Sequence, residues 1–394
     1  MVTMERIRWS LPLSVSHPAA HGGLSLALVL DGGVVCSAEP IVGRLHRGAE
    51  KLFESRDYRS ALALANRHDW LGSIASEVGL ATLIEQFLGI EVPPKARWLR
   101  TLVLEYTRIA HHLLWLTTTL QALESDRVDL AHERADCELG RADCELIHEA
   151  VRVGKSARGR ILDLVEGYTG ARMHHMVTAI GGLRVDYGPL WLDEVAASLA
   201  EAGSAARLLR EAYARDDFGL AGLAVIPNAT ARDFGASGPL ARASGVGFDV
   251  RLDRPDDCYV QLRDCGALHR VVSSDGDAKA RFLLLTEQID VSVACVQECV
   301  VRLAEFDPSA ALNVQLPRSI RLPEGQGYAE TENPAGINGW YLVSRGGTHP
   351  YRLKLRTASF NNAQTLPVAL TGTQIAQLPA ALYSFFLVAG DTDK

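Results

Sequence analysis

Apolar positions follow two different spacings along this chain. Residues 24–30 and 34–38 form two short blocks rich in Leu and Val that flank Asp31-Gly32-Gly33. Glycine supplies the positive φ of a tight turn, so this stretch predicts a β-hairpin. From residue 58 the spacing turns helical. Residues 58–88 predict two helices or one interrupted helix, ended by Gly89, and Pro93-Pro94 opens the next. There Trp98, Leu102, Ile109, Leu113, Leu116 and Leu120 recur at helical intervals, predicting a bundle-forming helix over about 93–123. Glu105 and Arg108 stand three apart on it and can pair; an ordinary surface ion pair is the reading if that helix lies outside.

Residues 134–147 hold a tandem heptad, Arg-Ala-Asp-Cys-Glu-Leu-Gly followed by Arg-Ala-Asp-Cys-Glu-Leu-Ile. A seven-residue duplication lengthens a helix while keeping the same face inward. That helix is predicted to continue towards Tyr168, with Gly170 as its C-terminal cap. Residues 190–214 read as helix, 227–247 as loop, and 278–305 as a long amphipathic helix. Short strands are predicted at 339–344 and 351–356, joined through Arg345-Gly346-Gly347. The fold class is therefore α+β: an N-terminal α/β piece with the hairpin (1–55), a central long-helix bundle (56–220), and a C-terminal α+β piece (221–394).

Composition narrows the chemistry. The 394 residues exceed one small core and carry a net charge of −7, mixed along the chain, which disfavours nucleic acid as a partner. No secretory leader is legible, and no apolar run is long enough to span a bilayer. Seven cysteines without a Cys-x-x-Cys spacing argue against a disulfide framework or a thiolate metal site, and fit a cytosolic setting. Cys295 and Cys299 share a helix face and read as buried thiols. No Gly-x-Gly-x-x-Gly follows a strand, so the chain offers no dinucleotide site.

The stretch richest in candidate chemistry is His17-Pro18-Ala19-Ala20-His21-Gly22. Two imidazoles on a Pro/Gly turn can bind a metal, or donate protons to a substrate in a cleft. The plainer alternative is a pair of turn histidines.

Together with that motif, an ordered set of segments carries a resemblance. It comprises Gly43-Arg44-Leu45-His46-Arg47-Gly48-Ala49-Glu50-Lys51, Gly170-Ala171-Arg172-Met173-His174, Ile180-Gly181-Gly182, Arg242-Ala243-Ser244-Gly245-Val246 with Asp249 and Arg251, Trp340-Tyr341-Leu342-Val343-Ser344, Pro350-Tyr351-Arg352 and the closing Gly390-Asp391-Thr392-Asp393-Lys394. From about residue 16 to 394 the chain resembles the D subunit of bacterial NADH-quinone oxidoreductase, in the family of 49 kDa subunits of respiratory complex I. That family is similar to the large subunit of nickel-iron hydrogenases. Those enzymes hold their metal with paired Cys motifs near both ends, and here the loop around Arg44 to Gly48 has no Cys and none follows Cys299.

The resemblance implies a peripheral subunit of a proton-translocating complex on the cytoplasmic side of the cell membrane. Quinone is the substrate. NADH, FMN and the iron–sulfur clusters belong to partner subunits, and this chain holds no cofactor or metal of its own. It assigns His21 to the quinone head group as proton donor, with His17 nearby, and places Arg47 and His174 beside a partner's terminal iron–sulfur cluster. Residue 70 also lines the quinone site, and there the chain departs from the family: Trp70 stands where the family has Tyr. An indole N–H donates a hydrogen bond but does not deliver a proton as a phenol does. Ala122 replaces the Asp that partners the pocket His, with Glu124 and Asp126 as possible substitutes, and the segment 124–158 is longer than the family's. These departures suggest a divergent second copy. Two rival readings follow: a non-catalytic structural or assembly paralogue, and the large subunit of a related membrane-bound, hydrogenase-like complex with another electron donor.

Overall fold

A computed structural model describes residues 5–10, 25–133, 141–215, 217–255 and 258–393. The chain begins with β1 (Glu5–Ser10), β2 (Ser25–Asp31) and β3 (Val34–Ile41), an antiparallel sheet in that order. The predicted hairpin is β2–β3. Its turn glycines have φ of 57° and 82°, the pair of positive values that a two-residue turn matched to strand twist requires. Residues near the C-terminus dock the hairpin: Val35 N–H donates to the Thr373 carbonyl (2.9 Å), and Gly372 N–H to the Val35 carbonyl (2.8 Å).

Five helices follow: α1 (Ala49–Glu54), α2 (Tyr58–His68), α3 (Ser73–Leu88), α4 (Pro94–Glu133) and α5 (Arg141–Thr169). The break between α2 and α3 resolves the 58–88 stretch as two helices. The long helix predicted to end near 123 runs on to Glu133, because nothing in Glu124–Glu133 breaks a helix. Gly170 closes α5 at φ 80°, with its N–H on the Glu166 carbonyl (2.7 Å). The first copy of the tandem heptad lies outside the described residues, and α5 opens at the second.

The short strands β4 (Thr178–Ala179) and β5 (Gly182–Leu183) lead into α6 (Trp191–Ala214), then α7 (Asn228–Asp233), α8 (Gly238–Ala243), α9 (Val250–Asp253), α10 (Tyr259–Asp264) and α11 (Ala278–Ala304). The segment 227–247 is thus not a plain loop. It carries α7 and α8, which are too short to show a helical period.

Helices α4, α5, α6 and α11 form the bundle. On α4, Leu99, Leu102, Tyr106, Ile109, Leu113, Leu116 and Leu120 are all fully buried. Their alternating spacing of three and four is a seam facing a partner helix. Helix α11 answers with Phe282, Leu285, Ile289, Ser292, Val296, Cys299 and Leu303 at the same spacing. The Asp277 carboxylate starts α11 by accepting the Ala280 N–H (2.8 Å).

The C-terminal sheet is β6 (Gly325–Asn333), β7 (Gly336–Ser344) and β8 (Arg352–Arg356), antiparallel in that order. Here β6 was not legible, being Gly- and Glu-rich; it forms because it pairs with β7 along its whole length. A second core under this sheet joins Phe53, Tyr58, Leu83, Trp340 and Leu355. The rings of Phe53 and Trp340 meet edge-on at 5.4 Å. Short helices α12 (Ala358–Ala363), α13 (Leu366–Leu370), α14 (Leu378–Tyr383) and α15 (Ala389–Thr392) complete the described chain. No helix among the described residues is long and apolar enough to cross a membrane.

Candidate functional site

The turn between α2 and α3 organises the site. Asp69 folds it by accepting the N–H groups of Leu71 (3.1 Å) and Gly72 (2.9 Å) on Oδ1. Its Oδ2 accepts from Asn333 Nδ2 at the end of β6 (2.7 Å). A Cβ at Gly72 would fall 2.5 Å from both Asn333 Nδ2 and Asp69 Oδ2, so only glycine fits this close approach. Trp70 sits half-buried on the turn, its indole against Gly390 of α15. A Cβ there would lie 2.0 Å from Cζ3 of the ring.

Arg47 and His174 arrive at the same place from distant segments. Arg47 is exposed and donates from Nη2 to the carbonyl of Arg67 (3.0 Å). His174 has its Nδ1 2.9 Å from Oδ1 of Asn66. Both therefore land on the last turn of α2, beside the loop bearing Trp70. The loop of Arg47 is held by Asp393, whose two carboxylate oxygens accept the N–H groups of Gly43 and Leu45, each at 2.6 Å. His174 and Met176 both have positive φ, 58° and 52°, an unusual conformation for side-chain-bearing residues. Glu77 tethers this strained segment by accepting the N–H groups of Met176 and Thr178, both at 2.9 Å, and the amide of Asn66. Burial raises the Glu77 carboxyl above its usual range.

His17 and His21 lie outside the described residues. Ala122 is buried on α4. The two acids near it are engaged: Glu124 Oε1 is 3.0 Å from His148 Nε2, and Asp126 accepts the Tyr383 hydroxyl (3.0 Å).

Sequence reasoning missed a set of buried imidazoles around the turn. His175 Nδ1 is 3.0 Å from Ser73 Oγ, and His112 Nε2 is 3.2 Å from the Pro334 carbonyl. Burial pushes His112 down to about 3 and His175 to about 4, so both are neutral near pH 7. Their signal was only the His111-His112 and His174-His175 doublets.

Below the site lies a buried ion cluster. The Glu105–Arg108 pair is not on the surface: both are buried, with Nε 3.2 Å from Oε2. Arg251 reaches Glu105 (3.0 Å), Asp249 (2.8 Å) and Gln288 (2.8 Å), and Arg242 reaches Glu332 (2.7 Å). Tyr259 and Ser292 hydroxyls also donate to Glu105, each at 2.7 Å. Burial works to raise the Glu105 carboxyl, but Arg108 and Arg251 outweigh it and hold it at about 2. Elsewhere, a surface groove of about 670 Å³ between α5 and α6, lined by Arg160, Tyr168, Leu190 and Trp191, carries none of the candidate residues.

Comparison with known proteins decides the family. The family described as respiratory-chain NADH dehydrogenase, 49 Kd subunit, matches residues 150–394. A relative from Streptomyces coelicolor, the D subunit numbered 1 of NADH-quinone oxidoreductase, is 41% identical over 98% of this chain and 94% of its own. The chain belongs to the 49 kDa subunit family. Another member, the NADH-quinone oxidoreductase D subunit of Bacillus cereus, is 30% identical over 97% of this chain and 98% of its own. Among solved structures, that of the membrane-bound sulfane sulfur reductase (MBS), an archaeal respiratory membrane complex, contains a chain of the same shape. Its TM-score is 0.83 and its identity 28%, covering 99% of this chain and 98% of that one. The chain is thus of a kind that works as one subunit of a multi-subunit respiratory complex.

No three His, Cys, Asp or Glu side chains among the described residues converge as a metal site needs. Elemental analysis of the purified chain is expected to show no stoichiometric nickel, zinc or iron. One tightly held metal per chain would overturn this and make His17 and His21 ligand candidates.

Proposed function

We propose that this chain forms one wall of the quinone cavity in a proton-translocating NADH-quinone oxidoreductase, bound peripherally on the cytoplasmic side of the cell membrane. The observation that carries the reading is the convergence of Arg47, His174 and Trp70 on the end of α2, in a chain 41% identical over nearly its whole length to a D subunit of such an enzyme. Quinone reduction takes two electrons and two protons. NADH oxidation through FMN and the iron–sulfur clusters belong to partner subunits, and this chain positions the head group and donates protons.

In this reading His21 hydrogen-bonds and protonates the quinone oxygen, with His17 beside it. Trp70 supplies a flat apolar face and one N–H. Arg47 and His174 face the partner's terminal cluster, where an exposed guanidinium favours the reduced, more negative state. No metal or cofactor is assigned to the chain itself.

The test is to purify the complex from membranes through this subunit. Flavin, NADH oxidation and quinone reduction in one preparation support the proposal. Membrane subunits without flavin or NADH oxidation favour a related complex with another electron donor, the reading to which the similarity with the sulfane sulfur reductase chain points. An assembled complex whose quinone turnover ignores this subunit favours a structural paralogue, for which Trp70 and Ala122 speak. Within the leading reading, Trp70→Tyr is expected to keep or raise quinone turnover, because it restores a phenol. A clear loss of turnover in assembled complex would show that the indole itself is required.

A further inference from the structure

Behind Trp70 meet three ionisable side chains to which the quinone reading gives no role. His68 ends α2, Asp69 begins the turn, and Asp391 stands on α15; all three are buried. His68 Nε2 is 3.4 Å from Asp391 Oδ1, yet neither ring nitrogen has a hydrogen-bond partner among the described residues. Asp391 spends Oδ2 on the Ser359 N–H (2.9 Å). Among the described residues neither carboxylate is paired with an Arg or Lys.

The ionisable groups on the surrounding elements are engaged elsewhere. Asp393, just after α15, holds the Gly43 and Leu45 amides. Arg67 of α2 turns to the Ala63 carbonyl (2.9 Å) and the Met176 sulfur (3.7 Å). Glu77 of α3 is taken by Asn66, Met176 and Thr178, and His112 of α4 faces the Pro334 carbonyl. Glu332 of β6 accepts from Arg242 and from the Val250 N–H (3.2 Å).

Two buried carboxylates without a guanidinium are costly when both are ionised. A buried imidazole with both nitrogens bare is costly as well. One arrangement relieves both, in which the three groups share protons. In keeping with this, burial and the neighbouring Asp391 push the Asp69 carboxyl up to about 6.

We propose that His68, Asp69 and Asp391 form a proton-holding cluster that feeds the quinone reduced on the far side of Trp70. The placement is specific. The indole of Trp70 packs on Gly390, one residue before Asp391, and His68 stands two residues before Trp70. A chain with Trp in place of the phenol therefore carries an alternative proton store directly behind it. In the step, two electrons pass in turn from the partner's iron–sulfur cluster to the quinone, His21 protonates one quinone oxygen, a proton from the His68–Asp69–Asp391 set becomes the O–H of the other, and protons from bulk water refill both donors. The proposal rests on the quinone reading, but the cluster can be tested without it.

The first test is infrared difference spectroscopy of the assembled complex against pH. A protonated-carboxyl band titrating between about pH 5 and 7 is expected, absent from Asp69→Asn or Asp391→Asn. No such band in the unaltered complex would overturn the proposal, whatever the quinone turnover. The second test is kinetic. His68→Asn and Asp391→Asn are expected to lower quinone reduction by roughly a hundredfold or more and to remove the ionisation from its pH profile. NADH oxidation with ferricyanide reports assembly. Unchanged turnover with an unchanged pH profile in assembled variants would overturn the role. If His68→Asn fails to assemble, Asp391→Glu decides: restored turnover with a shifted pH profile supports proton delivery, and an unshifted profile overturns it. A titrating band in a complex that reduces no quinone would sink the quinone reading and this proton's destination, while leaving the cluster standing.

Discussion

Changing His21 to Ala is expected to cost the assembled complex most of its quinone reductase activity, while NADH oxidation with an artificial acceptor survives. The reason is the division of labour at residue 70. Where a phenol and an imidazole share proton donation, losing one leaves the other. In the proposed cavity the indole of Trp70 does not deliver a proton, so His21 would carry more of the load at the quinone oxygen. A positioned acid or base contributes roughly a hundred- to ten-thousand-fold, and the loss should fall in that range. The double variant His21→Ala with Trp70→Tyr is expected to recover part of it. Quinone reduction unchanged by His21→Ala in assembled complex would remove His21 as donor, and the structural-paralogue reading would then lead.

Arg251→Ala is expected to destabilise the fold by about 3–5 kcal/mol, the usual result of leaving a buried ion without its partner. Arg251 is fully buried and satisfies Glu105, Asp249 and Gln288 at once. Arg108, Arg242 and Arg251 balance Glu105, Asp249 and Glu332, so removing one guanidinium leaves an uncompensated charge where α4, α9 and β6 meet. The acid side of the stability profile should move with it. Glu105 has a folded value of about 2, below its ordinary 4.5. Its contribution to stability is therefore present above about pH 4.5 and lost as pH falls towards 2. Without Arg251 the Glu105 carboxyl rises and acid unfolding begins at higher pH. Urea midpoints against pH check both points. The double variant Arg251→Leu with Asp249→Leu should cost less than the two single changes summed, because it removes the charges together. An unchanged urea midpoint in Arg251→Ala would show that the cluster adds nothing to stability.

Most of the bundle was legible because helix packing is written at short range. The three–four spacing of Leu99 to Leu120 and of Phe282 to Leu303 repeats within a few turns, and periodicity needs no knowledge of the partner helix. The β2–β3 turn and the Gly170 cap were equally local, each a backbone position that needs positive φ. By contrast β6 was invisible. Its Gly327 and Thr331 make sense only against Phe87 and the Ala75 carbonyl of α3. The true end of α4 was missed because ten helix-tolerant residues give no stop signal.

The sequence by itself determined the helical seams, the first hairpin and the family through its ordered motifs, and it sets Trp70 and Ala122 where the resemblance leads one to expect Tyr and Asp. Only the tertiary structure decided that Arg47 and His174 share the last turn of α2, that Glu105 and Arg108 belong to a buried six-charge cluster, and that His68 meets Asp391. The physical reason is range. Periodicity and turn chemistry act between residues a few positions apart, whereas the charge and solvation of a buried group depend on which distant segments close over it. His68 and Asp391 stand more than three hundred positions apart in the chain, and nothing in either neighbourhood announces the other.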